Sequence, residues 1–194
     1  ETDAKLHSYD AMLHKWQKAV NIVSPSTLND SLNRHFVDSL QILPLLPKDT
    51  KTLYDLGSGG GFPGMVLAIA APDVEVSLIE SDRKKCSFLS SVSRETKSPA
   101  TVVNARIEAI DLPAPDVVTA RALADLSLLL SWCLKWAEEN PDLVLIFPKG
   151  RNAAQEIAEA KEKYSFEYQE TASKTSDESA IIIVHKLCAR LPNA

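Results

Sequence analysis

What the chain lacks narrows its class before any motif is read. Three cysteines (Cys86, Cys133 and Cys188) are far apart and odd in number, which excludes a disulfide framework and fits a reducing, cytoplasmic setting. No run approaches the roughly 18 apolar residues of a membrane span, and no signal-peptide pattern is visible, so no membrane partner is expected. An excess of positive charge is missing too. Lys and Arg number 21 against 26 Asp and Glu, for a net charge of −5; this argues against a sequence-blind nucleic-acid binder but leaves room for a local basic face. The composition is otherwise that of a soluble globular protein, 45% hydrophobic and 24% charged, and 194 residues suit one domain with a sizeable core.

Glycine is scarce as well, and its placement is informative. Five of the six glycines fall between Gly57 and Gly64, in Leu53-Tyr-Asp-Leu-Gly-Ser-Gly-Gly-Gly-Phe-Pro-Gly64. A short apolar run ends at Asp55, a glycine turn follows, and Pro63 is expected at the first position of a helix. Downstream, strand patterns at 52–56, 74–80, 100–104, 116–120 and 143–148 alternate with helix patterns at 63–71, 82–96, 107–110, 125–138 and 152–163. Two further strand-like runs, 166–171 and 180–185, close the chain without a crossover helix. This predicts an α/β fold with a mostly parallel seven-stranded sheet and an antiparallel hairpin at one edge. Ahead of the sheet, Leu6, Tyr9, Leu13, Trp16 and Val20 mark an amphipathic helix over 5–20. His7 and His14 on it are expected at the surface, and no metal site is predicted. A second helix is predicted over 28–43, with Leu32, Phe36, Ile42 and Leu43 inward. Arg34, His35 and Asp38 lie within about one turn of each other there, as a polar cluster or a plain intrahelical ion pair.

In an open parallel sheet the ligand sits beyond the carboxyl ends of the strands, where the first glycine turn belongs. A phosphate-binding P-loop fails, because Met65 and Val66 follow Gly64 where Lys and Ser/Thr are needed. A nucleophile elbow fails, because Leu56 stands two residues before Ser58. Gly59, Gly61 and Gly64 do match a dinucleotide fingerprint. Two acids favour another ligand. Asp55 stands at the loop entrance, where it can hold the loop and face a cation, and Glu80 ends the second strand, where it can accept ribose hydroxyls. S-adenosylmethionine carries a ribose and a sulfonium but no phosphate, whereas an acid at the loop would repel the pyrophosphate of NAD. After the fourth strand the letters Val117–Ala122 lack the Asn/Asp-Pro-Pro-Tyr pattern of amine methylation, and no cysteine follows a proline. An acceptor already nucleophilic remains, of which guanine N7 is an example, needing chiefly alignment. Arg106, Arg121 and Lys149-Gly150-Arg151 fall on the same rim and could contact phosphates.

Several pieces, in order along nearly the whole chain, resemble the bacterial small-subunit ribosomal RNA guanine-N7 methyltransferase family, also called glucose-inhibited division protein B. They are Trp16 with Asn21, Arg34-His35 with Asp38-Ser39-Leu40, Asp55 to Gly64, Glu80-Ser81, Lys84-Lys85, Phe88-Leu89, Arg106-Ile107-Glu108, Arg121-Ala122 and Lys149-Gly150. The resemblance implies a class I S-adenosylmethionine-dependent, Rossmann-like methyltransferase domain over 49–194 with an N-terminal helical extension over 1–48. It implies methyl transfer to N7 of a guanine in 16S rRNA of the small subunit; a monomer is expected. Carried over by position, Gly57, Gly59 and Phe62 line the donor site, Glu80 takes the ribose, and Ile107 and Glu108 lie at the adenine. Arg121, the expected catalytic residue, borders donor and acceptor; Arg34, His35 and Lys149 are candidate RNA contacts. Gly60 stands where the family often has alanine, and Gln17 where asparagine is usual; neither is expected to touch the chemistry. The chain starts at Glu1, and its first helix is read as cut short. An NAD-dependent oxidoreductase and a non-catalytic assembly factor are the alternatives.

Overall fold

Most positions of the central strands are buried, so the sheet must be covered on both faces. In the computed structural model, which describes residues 1–190, it is. Seven strands, β1 (Thr52–Leu56), β2 (Glu75–Glu80), β3 (Ala100–Asn104), β4 (Val117–Ala120), β5 (Val144–Lys149), β6 (Tyr164–Ala172) and β7 (Ala180–Ala189), form one sheet in the order β3-β2-β1-β4-β5-β7-β6. β1 to β5 pair in parallel, and β7 runs antiparallel to both β5 and β6. The expected edge hairpin is therefore present, its strands longer than their apolar runs.

Side chains alternate between two cores, as the two-residue period of a strand requires. Leu53, Val117, Val144 and Ile146 face one core; Leu56, Val118, Leu145 and Phe147 face the other. The second core is closed by α6 (Leu126–Glu139) and α7 (Ala153–Lys163). There Trp136 is fully buried, with its indole N–H donating to the Leu112 carbonyl at 3.0 Å. The first core is closed by α4 (Gly64–Ala70), α5 (Arg83–Thr96) and the N-terminal α1 (Thr2–Gln17), which supplies Leu6, Tyr9 and Leu13 from one helical face. Local chemistry fixes the ends of α5: the Asp82 carboxylate accepts from the Lys84 and Lys85 amides, and Lys97 closes the helix in the left-handed conformation.

Two expectations need correction. Pro63 is not the first residue of α4 but the cap before it, and the helix starts at Gly64. The single helix over 28–43 is four short pieces instead: α2 (Pro25–Leu28), a π-helical turn (Leu32–Val37), α3 (Asp38–Leu40) and a 3-10 turn (Leu43–Leu45). The wider π turn rotates His35 and Phe36 inward and leaves Leu32 and Val37 exposed, so Leu32 does not pack as its helical spacing predicts.

The reversal of strand order lies between β1 and β4, and the glycine turn after β1 opens there. Tyr9 of α1 covers that turn. Its ring stacks on Phe62 at 5.3 Å, its hydroxyl donates to the Gly60 carbonyl, and burial holds the phenol well above its usual pKa. At Gly61 (φ +90°) a Cβ would come 2.4 Å from the Tyr9 hydroxyl and 2.9 Å from Met65 Cβ. Gly61→Ala combines left-handed strain with overpacking and should lower unfolding free energy by about 2–4 kcal/mol. Urea denaturation checks this, and a change below about 0.5 kcal/mol would show that α1 is not clamped on the loop.

Candidate active site

A cavity of about 710 Å³ opens beside the glycine turn, reaching Glu80 at the end of β2, the 3-10 turn at Ile107 and Glu108, and Arg121 after β4. Gly59 (φ +54°) is the most open of its glycines, since a Cβ there would meet only the Gly57 carbonyl, at 3.7 Å. The Glu80 carboxylate holds the turn from the side: Oε2 accepts from the Gly59 N–H and Oε1 from the Asp82 N–H, both at 2.8 Å. Each oxygen keeps a second acceptor site. Of the three fingerprint glycines only Gly59 lines the cavity. Gly61 faces Tyr9, and Gly64 packs on Asp55 and Leu78. The pattern is met by spacing, while two of its members serve packing rather than a pyrophosphate.

Asp55 is fully buried under the turn and is not part of the wall of this cavity, so it does not face a ligand there as expected. Its Oδ1 accepts from the Thr119 hydroxyl at 2.8 Å, while Oδ2 has no hydrogen-bond partner among the described residues. The Gly64 amide lies near enough to favour the charged form without the alignment of a hydrogen bond. Burial nonetheless dominates and pushes the carboxyl up to about 6.

Arg121 gathers the polar cluster. Its Nη1 donates to Asp38 Oδ2 and to the Arg34 carbonyl, each at 3.1 Å, and its Nη2 lies 3.0 Å from His35 Nδ1. The guanidinium also lies over the Phe62 ring, 5.2 Å from its centre, and His35 stacks on the same ring. A guanidinium only donates, so His35 Nδ1 must accept and its proton sits on Nε2, 2.9 Å from the Thr27 hydroxyl. Burial first, then the Arg121 charge, lowers the His35 pKa to about 4. Asp38 Oδ1 in turn accepts from Thr175 Oγ1 at 2.7 Å and Gln41 Nε2 at 2.8 Å, tying the β6–β7 loop to the cluster. The intrahelical pair of Arg34 with Asp38 does not form: Asp38 pairs with Arg121, and Arg34 lies 3.9 Å from Asp30.

Comparison with known proteins gives this cavity its context. The family model GidB, rRNA small subunit methyltransferase G, matches residues 2–182. The chain belongs to the GidB family. It is 45% identical over 190 residues to ribosomal RNA small subunit methyltransferase G of Rhodospirillum centenum, covering 98% of this chain and 87% of the relative. The corresponding protein of Paramagnetospirillum magneticum is 48% identical over 164 residues, covering 84% and 78% of the two chains. Among solved structures, the O-methyltransferase from Bacillus cereus in complex with SAH shares the fold, with a TM-score of 0.60, 16% identity and coverage of 92% and 91%. The fold is that of class I methyltransferases.

Of the residues expected from the GidB resemblance, Gly57, Gly59, Phe62, Glu80, Ile107, Glu108, Arg121, Arg34 and His35 all line the one cavity. Lys149 does not. Its Nζ is 2.7 Å from Glu156 Oε2 and donates to the Ala124 carbonyl at 2.6 Å, and the side chain is 8% exposed, so it is no open phosphate contact. His35 has both ring nitrogens engaged inside the cluster. Ile22, Val23, Leu123 and Trp132 also line the cavity and carried no local signal in the sequence. Of the two departures from the family pattern, Gly60 lines the cavity and Gln17 stands behind its wall. Gln17 accepts from the Ile22 and Val23 amides, and Gly60 packs directly beneath those two residues.

Asp55 and His35 act on stability in opposite senses. From about pH 4 to 6 only the unfolded chain ionises Asp55, so stability falls as pH rises, by about 3 kcal/mol in all. From about pH 6.5 down to 4 only the unfolded chain protonates His35, so stability falls as pH drops, by a similar amount of about 3 kcal/mol. The two offset in the parent protein. Asp55→Asn should lose stability as pH falls from about 7 to 4, and His35→Gln should gain it. Urea unfolding at both pH values tests this, and parallel pH profiles for all three proteins would overturn it.

Proposed function

We propose that this protein transfers the methyl group of S-adenosylmethionine to N7 of a guanine in the 16S rRNA of the small ribosomal subunit. The observation that carries the reading is the gathering of the family's donor-site and cluster residues around one cavity at the β1–β4 reversal. The cavity suits a phosphate-free nucleoside donor. It has one open glycine, two carboxylates in Glu80 and Glu108, and no amide cradle from Gly61 or Gly64. That last feature speaks against the NAD alternative.

In this reading Gly57, Gly59 and Phe62 form the floor under the donor, Glu80 accepts from the ribose hydroxyls, and Ile107 and Glu108 flank the adenine. When bound, S-adenosylmethionine supplies an electrophilic methyl group on a cationic sulfur. Guanine N7 has a free lone pair, so no residue has to remove a proton, and the protein's work is alignment and exclusion of water. Arg121 stands at the border of donor and acceptor. Its pairing with Asp38 balances its charge, so it presents no net repulsion to a cationic donor or to the cationic product base. Arg34, which is exposed, is the phosphate contact among the residues of the cluster. Among the described residues no helix is long and apolar enough to cross a membrane; a cytoplasmic monomer completes the reading.

The test combines the protein, methyl-labelled S-adenosylmethionine and unmethylated small subunits, followed by identification of the labelled nucleoside. Label in 7-methylguanosine is expected, with Arg121→Ala lowering the rate by at least about 100-fold. Label in another nucleoside would overturn the acceptor, and donor binding without any label would favour an assembly factor. A net charge of −5 provides little non-specific attraction to naked RNA. Subunits or their assembly intermediates should therefore be methylated faster than deproteinised 16S rRNA, and equal initial rates on the two would contradict recognition of a shaped particle.

A further inference from the structure

A second cleft, of about 290 Å³, adjoins the donor cavity and shares Arg121 and Ala122 with it. The segment after β4 is thus a common wall between two spaces. On that wall Ala122 holds φ +51°, a conformation side chains rarely adopt and one that tends to persist where function requires it. Pro148 and Ile181 give the cleft apolar sides, and the Lys149–Glu156 pair gives it a polar one.

The bonding of that pair is incomplete in a specific way. Lys149 uses two of its three protons, on Glu156 Oε2 and the Ala124 carbonyl. Glu156 receives both Lys149 and the Leu126 amide on Oε2, leaving Oε1 to accept from a ligand. One donor therefore stands beside one acceptor.

We infer that this cleft receives the target guanine, with Lys149 donating to its O6 and Glu156 accepting from its N1–H and 2-amino group. The inference rests on the guanine-methylating reading above and adds the subsite and its base-reading residues. Adenine and cytosine present the reverse order, an amino donor next to a bare ring nitrogen, and would set donor against donor. Uracil repeats the guanine order but has no N7 to present to the methyl group. The pair is then a reader of one base edge and not a phosphate anchor, which accounts for its burial on a rim otherwise suited to RNA.

Two variants test this against unmethylated small subunits, with donor affinity by calorimetry and thermal stability measured in parallel. Glu156→Gln can keep the Lys149 and Leu126 contacts on its amide oxygen while turning Oε1 into a donor. It should lower kcat/KM by about 10- to 100-fold with donor affinity unchanged. Ser179, whose side chain makes no hydrogen bond among the described residues, lies on the cleft wall. Ser179→Phe narrows the cleft from a residue outside the ion pair and should cause the same selective loss. Near-parental kcat/KM in both variants would overturn the inference, as would loss of donor binding in step with activity, which would make the cleft part of the donor site. Failure of the underlying reading would show differently, as absence of 7-methylguanosine with the parental protein.

Discussion

The Arg121–Asp38 ion pair is the joint on which the site depends. Both side chains are 17% exposed and 3.1 Å apart, so the pair is partly desolvated and its value depends on the surrounding hydrogen bonds. Those are supplied from four directions: the Arg34 carbonyl, His35, Gln41 and Thr175. Arg121 follows a central strand, Asp38 belongs to the N-terminal segment, and Thr175 lies in the loop of the edge hairpin. Three parts of the chain distant in sequence thus meet at one ion pair, whose guanidinium rests on the ring after the glycine turn. Removing either charge would leave the other without its partner and loosen all three attachments together, which costs more than a single exposed pair would.

The sheet was legible because its signals are local. Buried strands read as short apolar runs, the helix patterns begin at Asp82 and Asp125, which cap their helices, and five clustered glycines mark the turn. The segment from Pro25 to Leu45 was not legible. Its apolar positions fit a regular helix, but the side chains answer to Phe62 and Arg121, which lie outside it. His35 stacked on Phe62 and Phe36 edge-on to it are satisfied together only by the wider π turn. Tertiary contacts override the local period there, and exposed Leu32 is the consequence.

The same division holds within the site. Residues belonging to the turn and strand ends, such as Gly59 and Glu80, could be placed from the letters alone. Their bonding could not: Glu80 already accepts two backbone amides, one from Gly59 of the turn and one from Asp82, where α5 begins. Asp55 shows the limit most plainly. A carboxylate at the mouth of a glycine turn reads as a ligand contact, but the strand's two-sided burial draws it beneath the turn, opposite Thr119. Its influence on the cavity then passes through the position of the turn and through charge at a distance. Lys149 reads as an open basic residue, yet its partner Glu156 lies on the following helix, where no motif announces it.

Gln17 and Gly60 are distant in sequence but act on the same two residues, Ile22 and Val23, which changes how the two departures should be weighed. A Cβ at position 60 would stand 3.0 Å from Ile22 and 3.1 Å from Val23, closer than side chains normally pack. With glycine there, those residues can settle onto the turn. Gln17 holds them in that position, accepting from both their amides at 2.9 and 3.0 Å and donating to the Val23 carbonyl at 2.8 Å. Its side chain thus folds the chain back over the glycine turn, much as a backbone turn would. Ile22 and Val23 are cavity wall, so the two positions together set how closely the N-terminal segment covers the donor space. The missing methyl at Gly60 and the reach of Gln17 act on a single contact, and the effect of either depends on the other.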